Sequence, residues 1–115
     1  MDKMYSEDKI SNKLFVCNMG MHRSRTGAEI FGGEYAGIYS IRNPLTKELL
    51  EEADVVYVME PHHTKFIGEN FPNEYLTKRI VCLEIPDVYN YGDEELIKIL
   101  KKRIDEKTKG FEEQK

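Results

Sequence analysis

Three short apolar runs constrain this chain more than anything else in it. Leu14-Phe15-Val16-Cys17, Val55-Val56-Tyr57-Val58-Met59 and Ile80-Val81-Cys82-Leu83 are continuous rather than alternating. A strand with one wet face alternates, whereas an unbroken run suits a strand buried on both faces of a parallel sheet. Segments with helical spacing lie between the runs. Ser24 to Phe31 sets Ala28 and Phe31 on one side and ends at Gly32-Gly33, a helix stop. Tyr35 to Ile41 reads as a further strand, broken by Asn43-Pro44. Thr46 to Ala53 reads as a helix, with Leu45, Leu49 and Ala53 recurring at every fourth position. Pro61 opens a helix over His62 to Asn70, which Phe71-Pro72-Asn73 closes. Arg79 to Ile85 is the last strand. Asp93 caps a final helix over 94–109 with Leu96, Leu100 and Ile104 on one face, and Gly110 stops it.

Strand and helix therefore alternate four times over. The expected fold is α/β: a four-stranded parallel sheet in the order 2-1-3-4, with helices on both faces in three layers. Ligands of such sheets bind outside the carboxyl ends of the strands, near the point where the strand order reverses. Cys17 ends the first strand and Asp87 follows the fourth, so both fall on that edge.

At 115 residues the chain suits one domain, expected over 13–110 between a flexible N-terminal tail (1–12) and a charged C-terminal tail (111–115). The net charge of −4 weighs against a nucleic-acid partner, which calls for a basic surface. No apolar stretch reaches the length of a membrane span. Cys17 and Cys82 do not make a disulfide framework, and no secretory signal precedes the first strand. The expectation is a cytoplasmic monomer with free thiols, no cofactor and no metal.

The chemistry concentrates in Cys17-Asn18-Met19-Gly20-Met21-His22-Arg23-Ser24. A loop of this length between a strand and a helix can curl its N–H groups around an anion, and the helix amino end adds a positive dipole. Arg23 supplies a planar fork for two phosphate oxygens. Cys17 lies at the base, and a positive field favours a thiolate there, a nucleophile aimed at phosphorus. A single cysteine at a strand end is more often a buried structural residue. Its place between strand and helix, with an arginine at the helix start, favours the anion site. Asp87 after Pro86 would alone be a turn residue.

The segment LFVCNMGMHRSRTGAEIF resembles the opening of the low-molecular-weight protein tyrosine phosphatases through Cys17, Arg23, Ser24, Ala28, Glu29 and Phe31. ADVVYVME resembles the family strand that ends in Met-Asp, and IPDVYNYGDEEL its Asp-Pro-Tyr acid loop. The chain looks like a short, divergent branch. The resemblance implies a phosphotyrosine phosphatase I-like fold. It implies that Cys17 forms a phosphocysteine, Arg23 binds the phosphate and steadies the transferring group, and Ser24 donates to the thiolate. Asp87 would be the general acid, and later the base that activates water. Asn18, Met19, Gly20, Met21 and His22 would complete the phosphate ring, with Tyr89 or Tyr91 a wall for the substrate's aromatic ring unless both only pack the loop. The implied substrate is a phosphotyrosine protein or a small aryl phosphate.

The loop departs from the family pattern. Gly20 stands for the loop asparagine, Met19 for the preceding glycine, His22 for the second cysteine and Arg25 for the proline. Glycine takes a positive φ freely but cannot make the asparagine's hydrogen bonds; Asn18 is the nearest side chain that can substitute. Arg25 makes the site more basic, which favours an acidic substrate. His62-His63 is expected as a solvated helix start, since adjacent residues point to different faces and no third metal ligand is evident. Cys82 is expected buried and inert. Three other functions compete with phosphatase activity. A cysteine phosphocarrier would gain nothing from Asp87. An arsenate reductase needs further redox cysteines. A phosphate-binding module without turnover fits the missing loop asparagine.

Overall fold

The computed structural model describes residues 12–113, with side chains described to residue 108. Four strands form one sheet: β1 (Lys13–Cys17), β2 (Glu34–Gly37), β3 (Val55–Val58) and β4 (Arg79–Cys82). All pairs are parallel and the order is β2-β1-β3-β4, as the apolar runs require. Five helices complete the alternation: α1 (Arg23–Phe31), α2 (Lys47–Glu52), α3 (Pro61–Asn70), α4 (Pro72–Thr77) and α5 (Glu94–Glu113).

The continuous runs are buried on both faces because each residue has a core to enter. Phe15, Cys17, Tyr57 and Met59 pack with Ala28, Leu96 and Leu100 of α1 and α5. Leu14, Val16, Val56 and Val58 pack on the other side with Leu50 of α2 and Ile67 of α3. Phe15 sits at the middle of the first core, its ring 5.1 Å from Tyr57 and 6.2 Å from Phe31. Fully burying one such side chain contributes about 1.5–3 kcal/mol.

Several boundaries differ from the sequence reading. β2 ends at Gly37, not Ile41, because Ile38 N and Tyr39 N donate to Cys17 O and Asn18 O. The chain leaves the sheet there to follow the β1–α1 loop. β3 and β4 end at Val58 and Cys82, although Leu83 N and Ile85 N still donate to Val58 O and Met59 O. Phe71-Pro72-Asn73 does not simply close a helix: Pro72 is the first residue of α4, since its missing N–H costs nothing in a first turn. Gly110 does not stop α5, which continues to Glu113; one glycine costs a helix only about 1 kcal/mol. Asp93 does cap it, accepting from Glu95 N at 2.9 Å.

Asn12, the last residue of the expected tail, is hydrogen-bonded to Asp54. Asn12 N donates to Asp54 Oδ2 at 2.7 Å, and its carbonyl accepts from Asp54 N. Residues 1–11 and 114–115 lie outside the described residues. Among the described residues, no helix is long and apolar enough to cross a membrane.

Candidate active site

The site lies at the carboxyl edge of the sheet, between the two central strands. β1 carries Cys17 to that edge and buries it to 3 % exposure. The loop 18–22 then turns back to α1. Gly20 takes φ +68°, and a Cβ there would lie 2.8 Å from Gly37 N. At Gly37 the reverse holds, since a Cβ would meet Met19 C at 2.3 Å. Two glycines thus let the loop lie directly on the end of β2.

Inside the loop, Gly20 N donates to Cys17 Sγ at 3.2 Å. Ser24 Oγ lies 3.0 Å from the same sulfur. Arg23, the first residue of α1, is 1 % exposed. Its Nη1 donates to Glu60 Oε1 at 2.9 Å and to Ile85 O at 2.7 Å. Its Nη2 makes no hydrogen bond although it is buried, and it faces Asp87 Oδ2 at 3.7 Å. A buried guanidinium N–H without an acceptor is costly. Cys17, Asn18, Met21, His22, Arg23 and Asp87 line a recess of about 40 Å³ at this point, space for a few heavy atoms. An oxyanion there would give Nη2 its acceptor.

The recess gathers the expected residues, with one exception. Met19 also lines it, and Gly20 and Ser24 touch the sulfur. Tyr89 does not line it: the residue is half-buried and packs against the Phe15 core. His22 accepts from Tyr91 N at 3.1 Å through Nδ1, so it ties the segment after β4 to the β1–α1 loop. Arg25 stacks 4.2 Å above the Tyr91 ring and pairs with Glu29 at 3.4 Å, and so is partly engaged. Cys82 is half-buried rather than buried, and desolvation raises its pKa. It packs with the α2–α3 core while Cys17 packs with the other. The sheet therefore separates the two thiols.

The histidine pair corrects the sequence reading most. His62 and His63 do not diverge: their rings are 4.2 Å apart, and both Nε2 atoms lie 2.8 Å from Asn18 Oδ1. Helical side chains lean toward the helix amino end, so both rings of this first turn lean over the β1–α1 loop. His63 is fully buried and accepts Glu60 N–H through Nδ1 at 2.9 Å. Sequence reasoning missed Glu60, His62 and His63. The acid after a central strand was the available signal for Glu60; the histidines gave none, because their partner is over forty residues away. Glu60, His62 and His63 place ligand-type atoms within 4.8 Å of one another. Their contacts to Arg23, Asn18 and the Glu60 amide make them a hydrogen-bond cluster.

Burial first, then the neighbouring His62 and the Arg23 charge, lower the His63 pKa from 6.5 to about 3. The unfolded chain therefore binds a proton between these values that the folded chain refuses. His63 accordingly contributes stability above pH 6.5 that is lost progressively as pH falls toward 3. Urea midpoints at pH 7 and pH 4.5 should differ in that direction, and the drop should shrink in a His63→Asn variant.

No family model matches the chain, and no curated protein matches it. Solved structures do. The tyrosine phosphatase Wzb from Escherichia coli K30, in complex with phosphate, superposes with TM-score 0.66 at 19% identity, over 84% of this chain and 95% of that one. This is the fold of the low-molecular-weight protein tyrosine phosphatases. Wzb from Vibrio vulnificus, in complex with benzylphosphonate, gives TM-score 0.65 at 18% identity over 92% of this chain and 99% of that one. The arginine phosphatase YwlE from Geobacillus stearothermophilus gives 0.54 at 21%, over 84% of each chain. The expected fold class and strand order are both met.

Beside the recess, Met19 and Met21 also border an open groove of about 460 Å³, with Tyr39, Ile41, Arg25 and Arg42 on its sides. Ile41 is 95% exposed.

Proposed function

We propose that the protein is a cysteine-dependent phosphomonoester hydrolase acting on aryl phosphates, phosphotyrosine in particular. The observation that carries this reading is the buried, acceptor-less Arg23 Nη2 beside the Cys17 sulfur and the Asp87 carboxylate. A phosphoryl group in the recess would take hydrogen bonds from Arg23 and face Cys17 Sγ. The thiolate attacks phosphorus, the P–O bond to the leaving group breaks, and Asp87 gives its proton to the departing oxygen. Water, deprotonated by the Asp87 carboxylate, then attacks the phosphocysteine and releases phosphate and the thiolate. Ser24 Oγ is placed to donate to that thiolate as it leaves. Arg23 and the loop amides supply the positive charge that the transferring group needs.

The groove beside the recess supports an aryl substrate. Its methionines and tyrosine offer an apolar wall, and Arg25 and Arg42 suit acidic residues flanking a phosphotyrosine. The Wzb structures support the same class, since they hold phosphate and benzylphosphonate.

The test is hydrolysis of 4-nitrophenyl phosphate and a phosphotyrosine peptide with chelator present. Wild type should turn over both. Asp87→Ala should lower kcat/KM on the phosphotyrosine peptide by about 10²- to 10⁴-fold, the usual contribution of a positioned acid, and much less on 4-nitrophenyl phosphate, whose leaving group departs with little protonation. A stoichiometric burst without turnover would instead indicate a phosphocarrier, and phosphate binding without a burst a binding module.

A further inference from the structure

We propose that His63 is a positioning residue that aims the acid of this site, acting through Asn18. The proposal rests on the phosphatase reading above and goes beyond it, by assigning a role to a buried histidine outside the phosphate loop.

The argument is one of hydrogen-bond direction. Glu60 N–H points at His63 Nδ1 at 2.9 Å, so that nitrogen must offer its lone pair. A neutral imidazole with a bare Nδ1 carries its hydrogen on Nε2 and donates there. Its neighbour at 2.8 Å is the Asn18 side-chain oxygen, and the His62 ring takes the oxygen's second lone pair from 2.8 Å. The Asn18 amide is thereby fixed oxygen toward α3. Its NH₂ must then face the opposite way, and it donates to Asp87 Oδ2 at 3.2 Å. The reversed amide would set its NH₂ against the His63 N–H and its oxygen against a carboxylate, losing both contacts.

The consequence falls on Asp87. That side chain is half-exposed, at 51%, on a segment with no regular secondary structure. Asn18 and Arg23 both approach the same oxygen, Oδ2. Oδ2 accepts the Asn18 hydrogen bond and faces the Arg23 charge, both of which disfavour a proton there, so in the acid form the proton sits on Oδ1. Aim and proton placement of an acid on an irregular segment are thus set by a rigid helix start. The helix start is itself held by Glu60, which also carries Arg23.

The two ring nitrogens allow the cap and the relay to be separated. The side-chain oxygen introduced by His63→Asn takes the place of Nδ1, so that variant keeps the Glu60 cap and loses the contact to Asn18. His63→Gln reproduces the donor at Nε2 and keeps the relay. Asn18→Ala removes the relay without touching the cap. The measurement is kcat/KM on 4-nitrophenyl phosphate, whose leaving group needs little protonation, and on phenyl phosphate, whose leaving group needs much. His63→Asn should lose about tenfold or more on phenyl phosphate and about threefold or less on the nitrophenyl ester, and Asn18→Ala should lose about tenfold or more on phenyl phosphate. His63→Gln should recover to within about threefold of wild type on both. Long-range ¹H–¹⁵N correlation should show His63 with its hydrogen on Nε2. Equal losses on the two substrates, or a hydrogen on Nδ1, would overturn the relay while the phosphatase reading stands. A wild type inactive on both substrates would overturn the phosphatase reading and the relay with it.

Discussion

Cys17→Ser is expected to abolish turnover of aryl phosphates, by about 10⁴-fold or more, while the protein still folds and still binds inorganic phosphate. The serine oxygen is smaller than sulfur and occupies a site already shaped by Gly20 N and Ser24 Oγ, so the fold is not the part at risk. What is lost is the nucleophile. A hydroxyl with no adjacent base is not ionised near neutral pH, and removing a nucleophile from a concerted set typically costs several orders of magnitude. Phosphate binding rests on Arg23 and on loop amides, which the substitution leaves in place. The measurement is initial rate on 4-nitrophenyl phosphate, paired with ³¹P line broadening of inorganic phosphate. Wild-type protein quenched in acid should carry a phosphorus label on Cys17, and the variant none. A Cys17→Ser protein that hydrolyses as fast as wild type would remove the phosphocysteine from the mechanism. Loss of phosphate binding in the same variant would show that the sulfur, and not Arg23, organises the recess.

Cys17 stood out in the sequence as the candidate nucleophile, and the reason is local. Leu14 to Cys17 had to be a central strand because four consecutive apolar residues fit nowhere wet. Arg23 follows within one short loop, so strand end, loop and helix start form a unit whose members are near in sequence. Gly20 was legible for the same reason: its φ of +68° is a local demand. The acid side of the site was less legible. Asp87 reaches the loop only through the register of β4, and the pairing of Val58 with Cys82 sets that register. His63 was misread altogether. Periodicity places two adjacent residues on different helix faces, and His62 is exposed while His63 is buried, but the Asn18 oxygen holds both rings at 2.8 Å. The end of β2 was misread because its amides leave the sheet for the carbonyls of Cys17 and Asn18. The Asn43–Pro44 break lies beyond that departure. In each case the deciding partner is distant in sequence.

The same distance decides the second large effect, at Arg23. On the proposed reading this side chain serves two roles that a single substitution cannot separate. Nη1 pairs with Glu60 and satisfies Ile85 O, while Nη2, which makes no hydrogen bond, would take the anion. Arg23→Ala should therefore damage both stability and activity. Breaking a buried pair and leaving one charge uncompensated costs about 3–5 kcal/mol. Glu60 retains 26% exposure, so the loss should fall near the lower end, read as a shift in the urea midpoint. Activity should fall by about 10³-fold or more, because the group that neutralises the transferring phosphoryl is gone. Glu60→Gln added to Arg23→Ala removes the orphaned charge. The double variant should regain most of the lost stability and none of the activity. Arg23→Lys should keep part of the pairing with Glu60. One ammonium cannot reach Glu60, Ile85 O and a phosphoryl oxygen together, so its activity should remain at least about 10²-fold down. If Glu60→Gln instead restored turnover to the alanine variant, Arg23 would be a structural arginine and the anion would have to be held by the loop amides alone.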